Sequence, residues 1–208
     1  MRLWWCLLML GALACAPKVP PPDDLGALQH FEGFEDAQGQ PIGASSLAGR
    51  PWVANFMFTS CPASCPPLAR ASADLQKRIL AQFPDAKTRP AIVTVTVDPV
   101  TDTPERLTKF GQEYGADPAV WRFARADYPK MERLVTEGFY MPLLRTDASR
   151  AESVEARDAA LTKPTPLDTA HSLQFVLVDA QGHLRGVFGR DPKELERLEA
   201  TLHALSGP

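Results

Sequence analysis

The sequence predicts an α/β fold in which a mixed β-sheet carries helices on both faces. Two observations lead to this prediction. Strand-like and helix-like stretches alternate from about position 27, and the last two strand-like stretches are separated by a hairpin turn sequence. Helical crossovers make the first strands parallel, whereas a hairpin adds an antiparallel pair. Neither an internal repeat nor a second core is visible, so we expect one domain over residues 30–208.

Each predicted element follows from a local pattern. The strands are bounded runs of apolar or β-branched residues, at 51–58, 91–97, 173–178 and 184–188. The first helix shows apolar residues at helical spacing over 68–83. Two later helices open at acidic N-caps followed by an early proline, at Asp102 and Asp191. The turn of the hairpin is expected at 179–182.

Charge and composition exclude some partners. The chain has 22 Lys and Arg against 25 Asp and Glu, a net charge of −3, and no run of basic residues. Such a chain lacks the positive field that binds phosphate backbones, so we expect no nucleic-acid partner. The chain also has 20 prolines and four cysteines. Their positions are informative at the N-terminus and in one loop.

The N-terminus is typical of a targeting segment. Arg2 is followed by an uncharged stretch from Leu3 to Ala16, which is shorter than the about 20 residues that a membrane-spanning helix needs. A small residue before Cys15 resembles a bacterial lipoprotein signal. We therefore expect that residues 1–14 are removed and that Cys15 anchors the protein by lipid to a membrane of the bacterial cell envelope, facing the periplasm. Simple secretion is the alternative.

Residues 15–29 are predicted to form a proline-rich tether. Fully extended at ~3.1 Å per residue, the tether would reach roughly 40 Å. These assignments also account for two of the four cysteines, because Cys6 leaves with the signal and Cys15 carries the lipid. The remaining thiols are Cys61 and Cys65.

Cys61 and Cys65 follow the first buried strand and precede the first helix. Because Pro62 and Pro66 disfavour helical geometry in the residue before them, both cysteines are predicted to lie in the loop and not on a helix face. The helix N-terminus behind them favours thiolates. A disulfide here would close a very short loop and add little stability, so an inert bridge is a poor explanation. The spacing is wider than Cys-x-x-Cys and leaves room for an ion.

A metal site at two thiols needs a third ligand, and four histidines are available. His30, His183 and His203 are expected at the surface, with solvent as the natural partner of His183 in the hairpin turn. His171 differs, because it directly precedes a predicted strand, at the end of a long segment over 145–170 without a strand signal.

Three stretches together resemble the Sco/SenC family: 56–66 with its two cysteines, 95–105 with its Val-Asp-Pro sequence, and 168–172 before an apolar strand. The resemblance implies a thioredoxin-like fold and a role in assembling the binuclear copper centre of cytochrome c oxidase. By position, the copper ligands of the family correspond to Cys61, Cys65 and His171. Its aspartate after the second strand corresponds to Asp98, which we expect beside the site; a turn-forming role is the alternative.

Two thiolates and one imidazole form a soft ligand set that suits Cu(I), and Cu(II) could bind with an added oxygen ligand. The resemblance implies a copper metallochaperone, and so a carrier more than an enzyme. Its partners would be a copper-accepting membrane protein and a copper donor or thiol reductant. Two alternatives stay open: a thiol:disulfide oxidoreductase, with a peroxidase as a minor form of it, and a copper or redox sensor without delivery.

Overall fold

A computed structural model of the protein describes residues 23–143 and 174–206. In this part of the chain seven strands alternate with helices. The strands are β1 (Phe34–Asp36), β2 (Pro41–Ile42), β3 (Trp52–Met57), β4 (Ala91–Thr96), β5 (Trp121–Arg125), β6 (Phe175–Val178) and β7 (Leu184–Phe188). The helices are α1 (Ala44–Leu47), α2 (Cys65–Gln82), α3 (Pro104–Glu113), α4 (Tyr128–Arg133), which continues into a π-helical turn (Leu134–Gly138), and α5 (Pro192–Ser206).

All seven strands belong to one mixed sheet in the order β2-β1-β5-β4-β3-β6-β7. Strands β3, β4 and β5 run parallel, as helical crossovers require, while β6 is antiparallel to both β3 and β7. The predicted α/β class with a mixed sheet is therefore confirmed. The hairpin and the two long central strands also lie where the sequence predicts them, within two residues at each end.

Helices cover both faces of the sheet. Every residue of β3 and β4 is buried, which requires cover on both sides. Asn55 points towards α2, where it contacts Ser72. Trp52 and Phe56 point to the opposite face, where their rings meet that of Phe139 just after the π-helical turn. This arrangement confirms the predicted helices on both faces.

The carboxyl ends of β3, β4 and β5 meet at one edge of the sheet, called here the carboxyl edge. Helix α2 begins after β3 and helix α3 begins after β4, so both helix N-termini lie at this edge. The connecting loops over 58–64 and 97–103 are consequently neighbours. In open parallel sheets this edge is where ligands bind.

The first described residues attach to the opposite edge. Leu25 and Leu28 donate backbone hydrogen bonds to the carbonyls of Leu184 (2.9 Å) and Gly182 (2.8 Å) in the β6–β7 hairpin. The hairpin turn follows Val178, which pairs with Trp52 at the start of β3. Residues 24–28, assigned from sequence to the tether, thus lie on the domain.

The other predictions for the N-terminus concern residues outside the described ranges. They are the signal over 1–14, the lipid-bearing Cys15 and the first part of the tether. The segment 145–170 and His171 also lie outside. Within the described residues, no helix is long and apolar enough to cross a membrane.

A buried chain of hydrogen bonds links α2 to the three central strands. Asn55 donates to Ser72 (3.0 Å) and accepts from the Thr94 hydroxyl (2.7 Å), and Trp121 donates its indole N–H to Thr94 (2.8 Å). Buried polar groups lose stability when a partner is removed, because water no longer reaches them. This chain therefore fixes how the helix sits on the sheet.

Replacing Asn55 with leucine should destabilise the protein by about 2 kcal/mol, because the Thr94 hydroxyl loses its acceptor in a buried position. Urea unfolding followed by circular dichroism measures this loss. The control is Thr108→Val, which removes only a long, half-buried hydrogen bond (3.4 Å) to the Ala37 carbonyl and should cost about 0.5 kcal/mol or less. Equal losses of unfolding free energy for the two variants would contradict the role of Asn55 in joining α2 to the sheet.

Candidate functional site

The two cysteines lie where β3 gives way to α2, and both are free thiols. Cys61 is 8% exposed and Cys65 is fully buried. Cys61 belongs to the loop, as predicted, but the prediction is wrong for Cys65, which is the first residue of α2. The helix begins there because Pro66 and Pro67 fit its first turn, where their missing N–H groups are not needed.

Hydrogen bonds converge on the sulfur of Cys61. The Cys65 backbone N–H donates to Cys61 Sγ over 3.2 Å, and the Ser64 hydroxyl lies 3.1 Å from the same sulfur. The Cys61 N–H donates to the Phe58 carbonyl (3.3 Å), which closes the turn that carries the thiol. The loop therefore surrounds one sulfur with donors, an arrangement that stabilises a thiolate.

The two thiols consequently differ in acidity. Burial raises the pKa of Cys61, but hydrogen bonds from Ser64 and Cys65 outweigh that effect, so its pKa lies below the usual value. The pKa of Cys65 is strongly raised, first by burial and then by its contact with Cys61 and by the charge of Asp102. The sequence prediction that the helix N-terminus favours both thiolates holds for Cys61 and is wrong for Cys65.

In the reduced, metal-free protein, iodoacetamide should modify Cys61 well before Cys65. Only the thiolate reacts. Since the pKa of Cys61 is lowered, its alkylation should persist to a lower pH than that of free cysteine and fall only as the pH drops through the lowered pKa. Cys65, with its raised pKa, should react slowly until the pH is strongly alkaline. Mass spectrometry of peptides from a pH series measures both rates.

Cys61→Ser and Cys65→Ser serve as the matched pair for this experiment, because each reports one thiol alone. Cys65→Ala, which unlike Cys65→Ser leaves no side-chain donor at position 65, removes the thiol that donates to Cys61, so the alkylation profile of Cys61 should move to higher pH in that variant. Equal alkylation rates of the two thiols in the folded protein would contradict the assigned asymmetry, whereas equal rates in denaturant are expected.

Asp102 is a buried carboxylate that ties the two loops of the carboxyl edge together. It accepts hydrogen bonds from the Thr59 N–H (3.2 and 3.1 Å to its two oxygens), the Thr59 hydroxyl and the Thr96 hydroxyl, the last two at 2.5 Å. Thr59 lies two residues before Cys61, so the carboxylate holds the loop that carries the thiols. Its charge also acts on Cys65.

The predicted role of Asp102 as the N-cap of α3 is wrong. The cap is Thr103, whose hydroxyl accepts the Arg106 N–H (3.3 Å). The sequence did contain the signal, because proline favours the first helical position and Pro104 therefore marks residue 103 as the cap. The Asp102 side chain points instead into the protein, towards Thr59 and Thr96. Sequence reasoning did not identify it as part of the site.

Asp102→Asn should lower the free energy of unfolding by about 2 kcal/mol, because an amide cannot accept all the hydrogen bonds that the carboxylate accepts. It should also speed the alkylation of Cys65 in a Cys61→Ser background, since a negative charge that raises the Cys65 pKa is gone. Urea unfolding and alkylation kinetics measure the two effects.

Asp127→Asn is the control for Asp102→Asn. Asp127 caps α4 at the surface, and asparagine caps a helix equally well, so stability and Cys65 reactivity should both stay unchanged. A fully stable Asp102→Asn protein with unchanged Cys65 alkylation would rule out the assigned role.

Asp98 lies at the same edge, just past β4, and is 4% exposed. It forms a turn: its carboxylate accepts the Thr101 N–H (3.4 Å), and its carbonyl accepts the Asp102 N–H (2.9 Å). The structure thus shows the turn-forming role that the sequence left open. A position of Asp98 beside a bound metal stays a prediction.

The three described histidines have other partners. His30 lies 3.1 Å from Glu137, and His183 lies 3.0 Å from Asp24, so the solvent partner expected for His183 is wrong. His203 contacts Gln82 and stacks on Phe83. The described residues contain no group of three or more His, Cys, Asp and Glu side chains placed to hold a metal ion. His171 lies outside them.

The sequence model of the SCO1/SenC family matches residues 26–206. This range includes all the observed and predicted site residues: Cys61, Cys65, Asp98, Asp102 and His171. The chain belongs to this family. The predicted resemblance is thereby confirmed, and the family match begins within the segment that attaches to the hairpin.

Two curated relatives also match this chain in sequence. The chain is 36% identical over 90 residues to the SCO1 protein homolog of Bacillus subtilis, a match that spans 43% of this chain and 45% of that protein. It is 27% identical over 169 residues to a candidate copper-binding protein of Stutzerimonas stutzeri, covering 80% of this chain and 71% of that one. The chain thus matches less than half the length of the first relative.

Solved structures share the fold. A SCO1/SenC family lipoprotein from Bacillus anthracis superposes with a TM-score of 0.71 at 23% identity, covering 90% of this chain and 99% of that one. BsSco, described with a disulfide switch and as a member of the Sco family of cytochrome c oxidase assembly proteins, superposes with a TM-score of 0.70 at 22% identity. The match covers 89% of this chain and 96% of that one. Copper-bound ScoI of Bradyrhizobium japonicum superposes with a TM-score of 0.62 at 17% identity, covering 89% of this chain and 99% of that one. The thioredoxin-like fold of this chain is therefore that of Sco proteins.

Proposed function

We propose that the protein binds one copper ion through Cys61, Cys65 and His171 and delivers it to the binuclear copper site of cytochrome c oxidase. The observation that carries the proposal is the pair of free thiols, hydrogen-bonded to each other at the carboxyl edge of the sheet. Thiolates bind soft ions such as Cu(I), and a set of two thiolates and one imidazole is one ligand short of a structural zinc site. Cu(II) would need an additional oxygen ligand.

The strand register supports His171 as the third ligand. Ala54 pairs with Val176 in the antiparallel β3–β6 ladder, so the chain that precedes β6 approaches the carboxyl end of β3. His171 is three residues from Gln174, and three residues span at most about 11 Å. The start of β6 lies at the edge where Cys61 and Cys65 lie, and the nearness of position 171 to this strand in sequence supports His171 as the third ligand.

The relatives support copper as the cargo. ScoI of Bradyrhizobium japonicum, which shares the fold, has a structure with copper bound, and a candidate copper-binding protein matches 80% of this chain. BsSco is described as a cytochrome c oxidase assembly protein, which supports the copper subunit of the oxidase as the recipient. A copper donor or a thiol reductant must act first, because an oxidised Cys61–Cys65 pair cannot bind the ion.

A second function, thiol:disulfide exchange, is favoured by the unequal thiols. A thiol with a lowered pKa attacks a disulfide, and a buried partner with a raised pKa remains protonated until the second step. Cys61 and Cys65 have these properties. The disulfide switch of BsSco supports a redox role for this cysteine pair. A sensor would use the same atoms but would deliver nothing.

We propose that the protein acts at a membrane of the bacterial cell envelope, on the periplasmic side, anchored through lipid on Cys15. The small residue before Cys15 supports cleavage there. The structural likeness to a SCO1/SenC lipoprotein of Bacillus anthracis supports the same anchor. Mass spectrometry of the protein extracted from membranes tests it, because a lipid-modified Cys15 would be the first residue.

Anaerobic titration of the reduced protein with Cu(I) against a competing chelator should show one tightly bound ion per chain. Cys61→Ser and Cys65→Ser should abolish tight binding, because each removes one of two thiolate ligands. His171→Ala should weaken it at least about tenfold. The loaded protein should then transfer its copper to the metal-free copper subunit of the oxidase, which is read from the absorption of the binuclear centre.

His203→Ala is the matched histidine control, since His203 stacks on Phe83 in contact with Gln82 and should leave copper affinity unchanged. Equal affinity of wild type and His171→Ala, combined with rapid reduction of a partner disulfide by both, would identify the protein as an oxidoreductase and not a carrier. Tight binding without transfer would identify a sensor.

A further inference from the structure

A surface groove lies between the thiol loop and α3. It encloses about 230 Å³ and is lined by the following residues: Thr59, Ser60, Arg106, Lys109, Phe110 and Glu113. We call it the α3 groove. Thr59 and Ser60 directly precede Cys61, so the groove opens beside the reactive thiol. Asp102 fixes one wall, because it holds the Thr59 N–H and hydroxyl.

Two cations of the α3 groove are free to bind a ligand. Arg106 and Lys109 are exposed, and neither forms an ion pair with any residue of the ranges 23–143 and 174–206. Some other surface cations in these ranges are paired, such as Lys77, which lies 3.0 Å from Asp74, whereas the exposed Lys87 and Lys193 form no ion pair within them. Arg106 and Lys109 outnumber the one acidic residue of the lining, Glu113, so the groove carries a local net positive charge on a chain whose net charge is −3.

The geometry of the patch suits an acidic peptide segment. Arg106 and Lys109 are three residues apart on one helix face, which places their Cβ atoms about 5–6 Å from each other. Carboxylates on nearby residues of a peptide segment have comparable spacing. The largely buried Phe110 ring adds an apolar contact beneath them. Since Cys61 is only 8% exposed, a partner must come into direct contact with this surface to reach the sulfur.

We propose that the α3 groove is the docking site for an acidic, cysteine-bearing segment of a partner protein, whose carboxylates bind Arg106 and Lys109. The inference rests on the proposed function, since the partner is the protein that exchanges copper or electrons with Cys61. Electrostatic attraction of this kind chiefly speeds association and selects the partner. It leaves the metal-binding atoms unchanged.

Thiol–disulfide exchange with the oxidised protein gives a direct measurement. A thiolate of the partner attacks Cys61 Sγ, the Cys61–Cys65 bond breaks, and Cys65 leaves and takes up a proton. A second partner thiolate then attacks its own mixed disulfide and releases Cys61, which takes up the second proton. Two electrons pass from the partner dithiol, which becomes a disulfide, to the cysteine pair of this protein.

The probe is a reduced synthetic peptide with two cysteines flanked by glutamates, compared with the same peptide carrying glutamines. The glutamate peptide should reduce the oxidised full-length protein about five- to tenfold faster at low salt, and the difference should shrink at high salt. Arg106→Gln/Lys109→Gln should remove the difference. Alkylation of the released thiols, followed by mass spectrometry, gives the rates.

Lys87→Gln/Lys193→Gln is the control, because it removes the same charge from exposed lysines away from the α3 groove and should preserve the preference for the glutamate peptide. Equal rates of both peptides on the wild type, or a preference that survives Arg106→Gln/Lys109→Gln, would overturn the proposal. Cu(I) affinity should be the same for wild type and Arg106→Gln/Lys109→Gln. If the wild type does not bind copper, the carrier function is refuted. A preference of that protein for the glutamate peptide would still support the α3 groove as a docking site.

Discussion

The hydrogen bond from the Cys65 backbone N–H to the Cys61 sulfur is the contact on which the rest of the site depends. An N–H in the first turn of a helix has no acceptor within the helix. Here the sulfur fills that position, so one contact both starts α2 and stabilises the Cys61 thiolate. The same contact places Cys65 inside the helix, where burial keeps its thiol protonated. The unequal chemistry of the two thiols follows from a single backbone arrangement.

The central fold could be predicted because its signals are local. The apolar runs of β3 and β4 are long, and helical crossovers between them leave only a parallel arrangement. The edge of the sheet formed by β1 and β2 could not be predicted. Strands β1 and β2 have only three and two residues. Strand β1 is placed by its pairing with β5, far away in sequence, and β2 joins the sheet through β1. The attachment of residues 24–28 to the β6–β7 hairpin is equally non-local.

The candidate site shows the same division. The order of strand, cysteines and helix along the chain places Cys61 correctly in the loop after β3, whereas Cys65 lies in the first turn of α2 and not in the loop. The inward turn of Asp102 depends on Thr59 and Thr96, which lie in other segments, and so sequence alone gave it a capping role. The raised pKa of Cys65 arises from burial and from that same carboxylate. What the sequence could not show is therefore the part of the site that tertiary contacts create.

The direction in which the site faces follows from the two edges of the sheet. Residues 24–28 attach beside the hairpin turn, whereas Cys61, Cys65 and the α3 groove lie at or beside the carboxyl edge. With the proposed anchor at Cys15, an extended tether would hold the thiols on the side of the domain away from the membrane. A partner would then need to present its cysteines on a part that projects from that membrane. The groove and the thiol loop are adjacent, so one such partner can contact both in a single orientation.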